Sequence, residues 1–130
     1  MAEPMSDDRP PARPGLGRYL AEFEAPGFTF DDWRGRLTPT AQAFVRDAYD
    51  LGWVRGDVDW GTWSETAEAT TLRDDPTALA RADRDQISKL LTTLIRLDRF
   101  SGGTLGSAFS SGVLTGIVRR IAALEGDGSG

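Results

Sequence analysis

The sequence contains no cysteine and no histidine among its 130 residues. The lack of cysteine excludes disulfides, thiol catalysis and cysteine-ligated zinc. The lack of histidine excludes a Ser-His-Asp triad, a histidine-ligated metal and an imidazole general base. Any catalysis would have to use carboxylates, arginine, tyrosine or the single lysine, Lys89. We therefore expect no metal and no cofactor, and we do not expect an enzyme.

Long apolar runs and excess positive charge are also absent. No apolar segment approaches the roughly 18 residues that a membrane span needs. The N-terminal residues MAEPMSDDRPPARP lack the apolar stretch of a secretory signal. The net charge of -5 and the isoelectric point near 4.7 argue against general binding to nucleic acid. The composition predicts a soluble cytoplasmic protein without a membrane partner.

Composition divides the chain into three parts. Residues 1–14 carry four prolines and mixed charge, which predicts a disordered lead-in. Residues 126–130, GDGSG, predict a flexible tail. Between them, residues 15–125 have apolar side chains at helical spacing and no alternating strand pattern. We expect one all-α domain, a compact orthogonal bundle of about five to seven helices, several of them short.

Apolar stripes and capping signals predict the individual helices. The strongest stripe belongs to a central helix that ends near Phe100, and it comprises Ile87, Leu90, Leu91, Leu94 and Ile95. The last helix has a second stripe, made of Leu114, Ile117, Val118, Ile121 and Leu124. Helices are expected to begin at N-caps, which are Thr38, Asp59, Asp75, Asp83 with Gln86 in a capping box, and Thr104.

A cluster of charge, Arg96, Asp98 and Arg99, precedes a pair of glycines at the end of the central helix. Two guanidinium groups beside a glycine-rich turn can clamp a phosphate or a carboxylate. Alternatively, arginines in the last turn of a helix satisfy its open carbonyls, or pair with Asp57 or Asp59. We favour the structural interpretation, with Arg99 paired to Asp59 and any functional role at Arg96.

Two ligand-binding motifs are incomplete. The glycines that follow Phe100 form neither Gly-x-x-x-x-Gly-Lys nor Gly-x-Gly-x-x-Gly, so a phosphate loop is not expected. Asp57, Asp59 and Glu68 stand at the first, third and twelfth positions of an EF-hand loop. The sixth position, which requires glycine, is Thr62. Calcium binding is therefore not expected.

Four tryptophans, Trp33, Trp53, Trp60 and Trp63, are many for a chain of this length. Tryptophan fills protein cores, and it is also enriched at the centres of interfaces. Trp60, Trp63 and Ala67 are expected to share one face of a helix. Trp33 and Trp53 lie beside loops, where both roles stay open.

Two blocks of sequence resemble those of a known family. One is YDLGWVRGDVDWGTW, residues 49–63. The other is a helix end of the form R-x-D-R-F-x-x-G-x-L, formed here by Arg96, Arg99, Phe100, Gly103 and Leu105. In this order the blocks resemble a bacterial domain of unknown function, family 6508 (DUF6508), over roughly residues 38–124. The resemblance implies a compact bacterial domain without an assigned activity, so no catalytic residue follows from it.

Taken together, these features favour a non-enzymatic protein-interaction module with an unidentified protein partner. Its candidate binding residues are Trp53, Asp59, Trp60, Arg96 and Arg99. The alternative is a domain that binds a small anionic ligand or faces nucleic acid, with arginines at 96–99 and 119–120 as its cations. A carboxylate-based hydrolase is a third class, and no motif supports it.

Overall fold

The fold is given by a computed structural model that describes residues 15–32, 34 and 36–128. Within these residues the prediction of an all-α fold is confirmed, and the only β-type pairing is an isolated bridge between Asp31 and Leu37. A 3₁₀ turn, Leu16–Tyr19, is followed by eight α-helices: α1 Leu20–Phe23, α2 Pro39–Asp50, α3 Trp60–Trp63, α4 Ala67–Asp74, α5 Pro76–Ala80, α6 Arg84–Ser101, α7 Thr104–Ser110 and α8 Val113–Gly128.

Helix α6 forms the centre of the domain. All five residues of its predicted apolar stripe, from Ile87 to Ile95, are buried. Its polar side chains Ser88, Thr92 and Thr93 are buried as well, so neighbours surround the helix on most sides. Each of these hydroxyls finds a backbone carbonyl acceptor, as buried polar groups require.

Helix α8 holds the beginning of the described chain. The Glu125 carboxylate accepts hydrogen bonds from the N–H groups of Leu16 at 2.8 Å and Gly17 at 3.0 Å. Gly17 lies directly on α8, because a Cβ at this position would come within 2.6 Å of the Ala122 Cα atom. The 3₁₀ turn is therefore capped and packed by the last helix, which closes the bundle.

An aromatic cluster fills the space between the first segment and helices α2 and α7. Phe23 lies at its centre, with ring centroids 5.1–5.6 Å from those of Phe28, Phe30, Phe44 and Phe109. Phe30 is buried and Phe28 packs against the core. Trp33, from the same segment, lies outside the described residues.

Most of the predicted N-caps are confirmed. Asp59, Asp75 and Asp83 each accept a hydrogen bond from a backbone N–H in the first turn of their own helix. Asp83 and Gln86 form the complete capping box. These signals are local in sequence, so they can be recognised without knowledge of the tertiary fold.

Of the two threonine caps, the position of Thr38 directly before Pro39 is confirmed, whereas the cap predicted at Thr104 is wrong. Thr38 occupies the N-cap position of α2, but its hydroxyl donates to the Phe30 carbonyl at 3.1 Å and so fastens the preceding loop. Thr104 is already helical, and the position before α7 belongs to Gly103, which has the left-handed φ of 82° that favours glycine. The backbone N–H of Leu105 donates to Asp98 of α6 instead.

The number of helices exceeds the expected range because the third predicted helix is divided in two. Helix α3 ends at Trp63, and Thr66 caps a separate helix by accepting a hydrogen bond from the Ala69 N–H. Ala67 is consequently exposed in the first turn of α4, so the expected common face of Trp60, Trp63 and Ala67 is wrong.

The structure describes more of the C-terminal end of the chain than of the N-terminal end. Helix α8 continues to Gly128, beyond the boundary predicted at residue 125. The expected lead-in, residues 1–14, and residues 129–130 of the expected tail lie outside the described residues. Among the helices of the described part, none combines the length and the apolar content required to cross a bilayer.

Candidate functional site

The C-terminal end of α6 carries an exposed aromatic pair. Phe100 is 81% exposed, which sets it apart from the other large hydrophobic side chains of the described residues. Its ring centroid lies 5.8 Å from that of Trp60, the first residue of α3, and the ring planes are tilted by 41°. Trp60 itself is half-buried, since α3 packs against α6. We refer to Trp60, Arg96, Arg99 and Phe100 as the α6-end patch.

Arg96 is the unusual charged residue of this patch. It lies one helical turn before Phe100, so the two side chains emerge on the same face of α6. The Nε–H of Arg96 is buried, and no residue of the described chain accepts a hydrogen bond from it. Burying a charged donor without an acceptor is unfavourable. Arg96 therefore keeps one unsatisfied donor within the described part of the chain.

Arg99 is exposed and only weakly engaged. Its Nη1 atom lies 3.5 Å from the hydroxyl of Tyr49, at the long limit of a hydrogen bond. The predicted pair with Asp59 is wrong. Asp59 accepts from the N–H of Thr62 at 3.3 Å and from its hydroxyl at 3.0 Å, so both carboxylate oxygens are committed to the start of α3.

The charges of the two patch arginines are therefore not compensated locally. Among the described ion pairs, none joins Arg96 or Arg99 to a carboxylate. Asp98, which lies between them in sequence, directs its Oδ1 atom to the N–H of Leu105 at the start of α7. The nearby acids serve as helix caps, and the patch keeps an aromatic surface with two unpaired cations.

Trp53, the remaining candidate binding residue, is a core residue. It is 1% exposed, and the Arg84 guanidinium lies 4.0 Å above its ring centroid. Its carbonyl oxygen accepts hydrogen bonds from the hydroxyls of Ser88 at 2.8 Å and Thr92 at 3.3 Å. The surface role proposed for Trp53 from the sequence is therefore wrong, because α6 covers it.

Asp57 and Asp85, two acids in the middle of the chain, are ion-paired in a network that does not include the patch. Arg55 pairs with Asp57 at 3.0 Å and with Asp85 at 2.5 Å, and Lys89 pairs with Asp85 at 3.0 Å. Hydrogen bonds from Arg55 lower the pKa of both carboxyl groups, and for Asp85 Lys89 adds to the effect. The same bonds raise the pKa of Arg55. These ion pairs join the loop that contains Arg55 to the first turns of α6.

The three acids of the incomplete EF-hand pattern do not converge. Asp57 pairs with Arg55, and Asp59 caps α3. Glu68 accepts from the Trp63 indole N–H at 2.7 Å and from the Gln86 side-chain amide at 2.9 Å, and these two bonds lower its pKa. Within the described residues, no group of three or more acidic side chains is placed to hold a metal ion.

Arg119 and Arg120 lie in a different place, on a groove bordered by helices α4 to α8. The groove has a volume of about 1260 Å³, and Arg73 also lines it. Arg96 and Arg99 do not line it. The structure therefore separates the two groups of arginines that the anionic-ligand hypothesis had combined.

Sequence reasoning missed Phe100, Tyr49 and the groove. Phe100 was recognisable in part, because it falls outside the i, i+3, i+4 series that runs from Ile87 to Ile95. An aromatic residue off the apolar stripe of a central helix predicts exposure. The neighbourhood of Tyr49 and the groove arise from contacts between helices that are distant in sequence, so no local pattern reports them.

Comparison with known proteins gives one match. Residues 15–127 match the model of a family described as a family of unknown function (DUF6508). No curated protein and no solved structure matches the chain.

Proposed function

Because the chain belongs to DUF6508, a family of unknown function, we infer its role from its own residues and propose that it is a non-enzymatic protein-interaction module. The proposed contact surface is the α6-end patch. The observation that carries the proposal is the 81% exposure of Phe100 beside an arginine whose buried Nε–H has no acceptor in the described chain.

An exposed phenylalanine is unfavourable for an isolated domain, because it leaves apolar surface in water. The ring of Phe100 is also held in place, since it contacts Trp60, which α6 and α3 fix. Aromatic side chains with few rotatable bonds and neighbouring arginines are the groups that contribute most to binding at protein interfaces. The patch has this composition: three of its members lie at the end of α6, and Trp60 of α3 contacts Phe100.

The charges define the chemistry of the partner. Arg96 and Arg99 have no carboxylate partner among the described residues, and both Asp98 and Asp59 are occupied as helix caps. A complementary surface would place a carboxylate next to an apolar pocket that accepts the Phe100 ring. We therefore propose a protein partner with an acidic and apolar contact site.

Site-specific photo-crosslinking in cells tests this proposal. A photoreactive phenylalanine analogue is introduced at position 100, and the matched control carries it at Arg81, an exposed residue without a described side-chain hydrogen bond. We expect one defined adduct from position 100 and none of the same mass from position 81. A second copy of this chain in the adduct would mean self-association, and the same patch would then be a dimer interface.

The purified components complete the test. Phe100→Ala should weaken binding of the crosslinked protein by at least about tenfold, as expected for an aromatic anchor that becomes buried in the complex. It should change the free energy of unfolding by less than about 0.5 kcal/mol, because the side chain lies outside the core. Unchanged affinity in a folded Phe100→Ala variant would contradict the proposal.

The anionic-ligand or nucleic-acid alternative has less support, because its two arginine groups occupy separate surfaces. A phosphate backbone binds through a continuous row of cations, and the patch has only Arg96 and Arg99.

The cellular location that we propose is the cytoplasm of a bacterial cell. The family resemblance and the acidic, cysteine-free composition support that location.

A further inference from the structure

We propose that the groove bordered by α4 to α8 binds a small amphipathic anion, which has one negatively charged head group and an apolar chain. This site is separate from the α6-end patch and goes beyond the proposed protein interaction. Its volume of about 1260 Å³ is of the size used by ligand pockets or larger.

The floor of the groove is apolar. It is formed by side chains from four helices, Leu72, Leu79, Leu94, Leu97 and Val113. Leu79 packs directly on the backbone of α8, since a Cβ at Gly116 would lie 2.8 Å from its Cδ2 atom. The glycine thus lets a buried leucine form part of the floor, and an apolar chain would be removed from water along it.

Arg120 provides a fixed cation at this apolar surface. Its Nε–H donates to the Ala82 carbonyl at 2.7 Å, which holds the half-buried guanidinium in one orientation. Within the described residues, neither of its Nη groups has a hydrogen-bond partner and no carboxylate pairs with it. An anchored guanidinium loses little freedom when it binds a carboxylate, and its planar fork matches the two oxygens of that group.

The other charged residues of the groove are already engaged or weaker candidates. Arg119 pairs with Glu24 across the outer edge. Arg73 lies 3.4 Å from the Ser64 carbonyl and is next to Asp74, the one acidic residue among those lining the groove. Arg120 is therefore the remaining unpaired cation that can bind the head group. A single such cation favours a ligand with one anionic group over a ligand that carries a row of several charges.

Decanoate is a suitable probe, used below its micelle concentration, and 1-decanol is the neutral control with the same chain length. Titration of the full-length, isotope-labelled protein by NMR maps the bound position and gives the affinity. We expect decanoate to shift amides of groove residues such as Ser107 and Gly116, and to bind at least about tenfold more tightly than decanol, as a charge-assisted hydrogen bond predicts.

Two variants test the site by different means. Arg120→Gln removes the head-group charge and should weaken decanoate at least about tenfold. Ser107→Phe places a ring into the groove from an exposed position without a described side-chain hydrogen bond, so it should block the chain while the fold is retained. Arg46→Gln is the matched control, because Arg46 is exposed on α2 and does not line the groove. Phe100→Ala should leave decanoate binding unchanged.

Several results would overturn the inference. These are the absence of decanoate shifts, equal binding of decanol, shifts confined to the α6-end patch, or unchanged affinity in folded Ser107→Phe. If Arg120→Gln does not fold, the comparison of decanoate with decanol and the Ser107→Phe variant still decide. Loss of the protein interaction in Phe100→Ala with intact decanoate binding would separate this proposal from the proposed function.

Discussion

The Oδ1 atom of Asp98 accepts a hydrogen bond from the backbone N–H of Leu105 at 3.1 Å, so the last turn of α6 caps the first turn of α7. Gly103 makes the reversal between them with a φ of 82°, and Leu105 enters the core at 1% exposure. These three members of the R-x-D-R-F-x-x-G-x-L block build a corner of the fold. The other three form part of the α6-end patch and have no such structural task.

The cap predicts a stability effect at Asp98. Asp98→Ala should lower the free energy of unfolding by about 1 kcal/mol, the usual cost of removing a capping side chain, whereas Asp98→Asn keeps an oxygen acceptor and should cost less. Urea unfolding measures both changes. Glu65→Ala is the control, because Glu65 is exposed and its side chain has no described hydrogen bond. Equal stability of Asp98→Ala and the control would contradict the capping role.

This corner also shows what the sequence could and could not predict. The caps of Asp59, Asp75 and Asp83 lie within three residues of their donors, so local patterns identified them. Asp98 caps a helix other than its own, and nothing in the sequence distinguishes it from an exposed acid. The sequence favours Thr104 as the cap because threonine is a common N-cap, although Gly103 supplies the conformation that the turn requires.

The candidate site was predicted in part for the same reason. Its location at the end of the central helix followed from apolar periodicity and from the charge cluster. The burial of Trp53 could not be predicted in this way, because it depends on packing against α6. The α6 hydroxyls that bind the Trp53 carbonyl lie 35 and 39 residues later in the chain. The expected Arg99–Asp59 pair failed because a helix start next to an aspartate competes for the same carboxylate oxygens.

A second prediction concerns pH and the pair formed by Tyr19 and Asp47. The buried Tyr19 hydroxyl donates to the Asp47 carboxylate at 2.6 Å, and burial together with this bond raises the pKa of Tyr19 from 10.0 to about 12. Between these values the unfolded chain releases a proton that the folded protein retains. The contribution of Tyr19 to the free energy of unfolding should therefore be fully present below pH 10. It should be lost toward pH 12, which lowers the free energy of unfolding by about 2–3 kcal/mol.

The variant Tyr19→Phe isolates this effect. Without the hydroxyl the variant is less stable at neutral pH, but it should lack the alkaline loss that belongs to Tyr19. Urea unfolding of both proteins at about pH 9 and about pH 11.5 gives the difference directly. Parallel stability losses in the two proteins would show that the Tyr19 proton is not linked to folding.

A double-mutant cycle tests the separation of Asp59 and Arg99. Asp59→Ala should destabilise by about 1 kcal/mol because α3 loses its cap. Arg99→Ala should be nearly neutral, within about 0.5 kcal/mol, because the side chain is exposed and its contact with Tyr49 is long. The double variant should equal the sum within about 0.5 kcal/mol. A coupling energy above about 1 kcal/mol would restore the ion pair that the structure does not contain.

A substitution at Arg96 distinguishes most clearly between a structural role and a binding role. Methionine has a similar length and no polar donor, so Arg96→Met removes the buried, unpartnered Nε–H while it keeps the apolar stem of the side chain. We expect the free energy of unfolding to stay constant or to rise by up to about 1 kcal/mol, since an unsatisfied charged group is lost. Arg81→Met is the matched control at an exposed position. The same Arg96 variant should weaken binding of the partner crosslinked at position 100 by at least about tenfold, because the partner's carboxylate then loses the guanidinium charge. Destabilisation by more than about 1 kcal/mol would instead assign the guanidinium to the fold, and the α6-end patch would lose its strongest support.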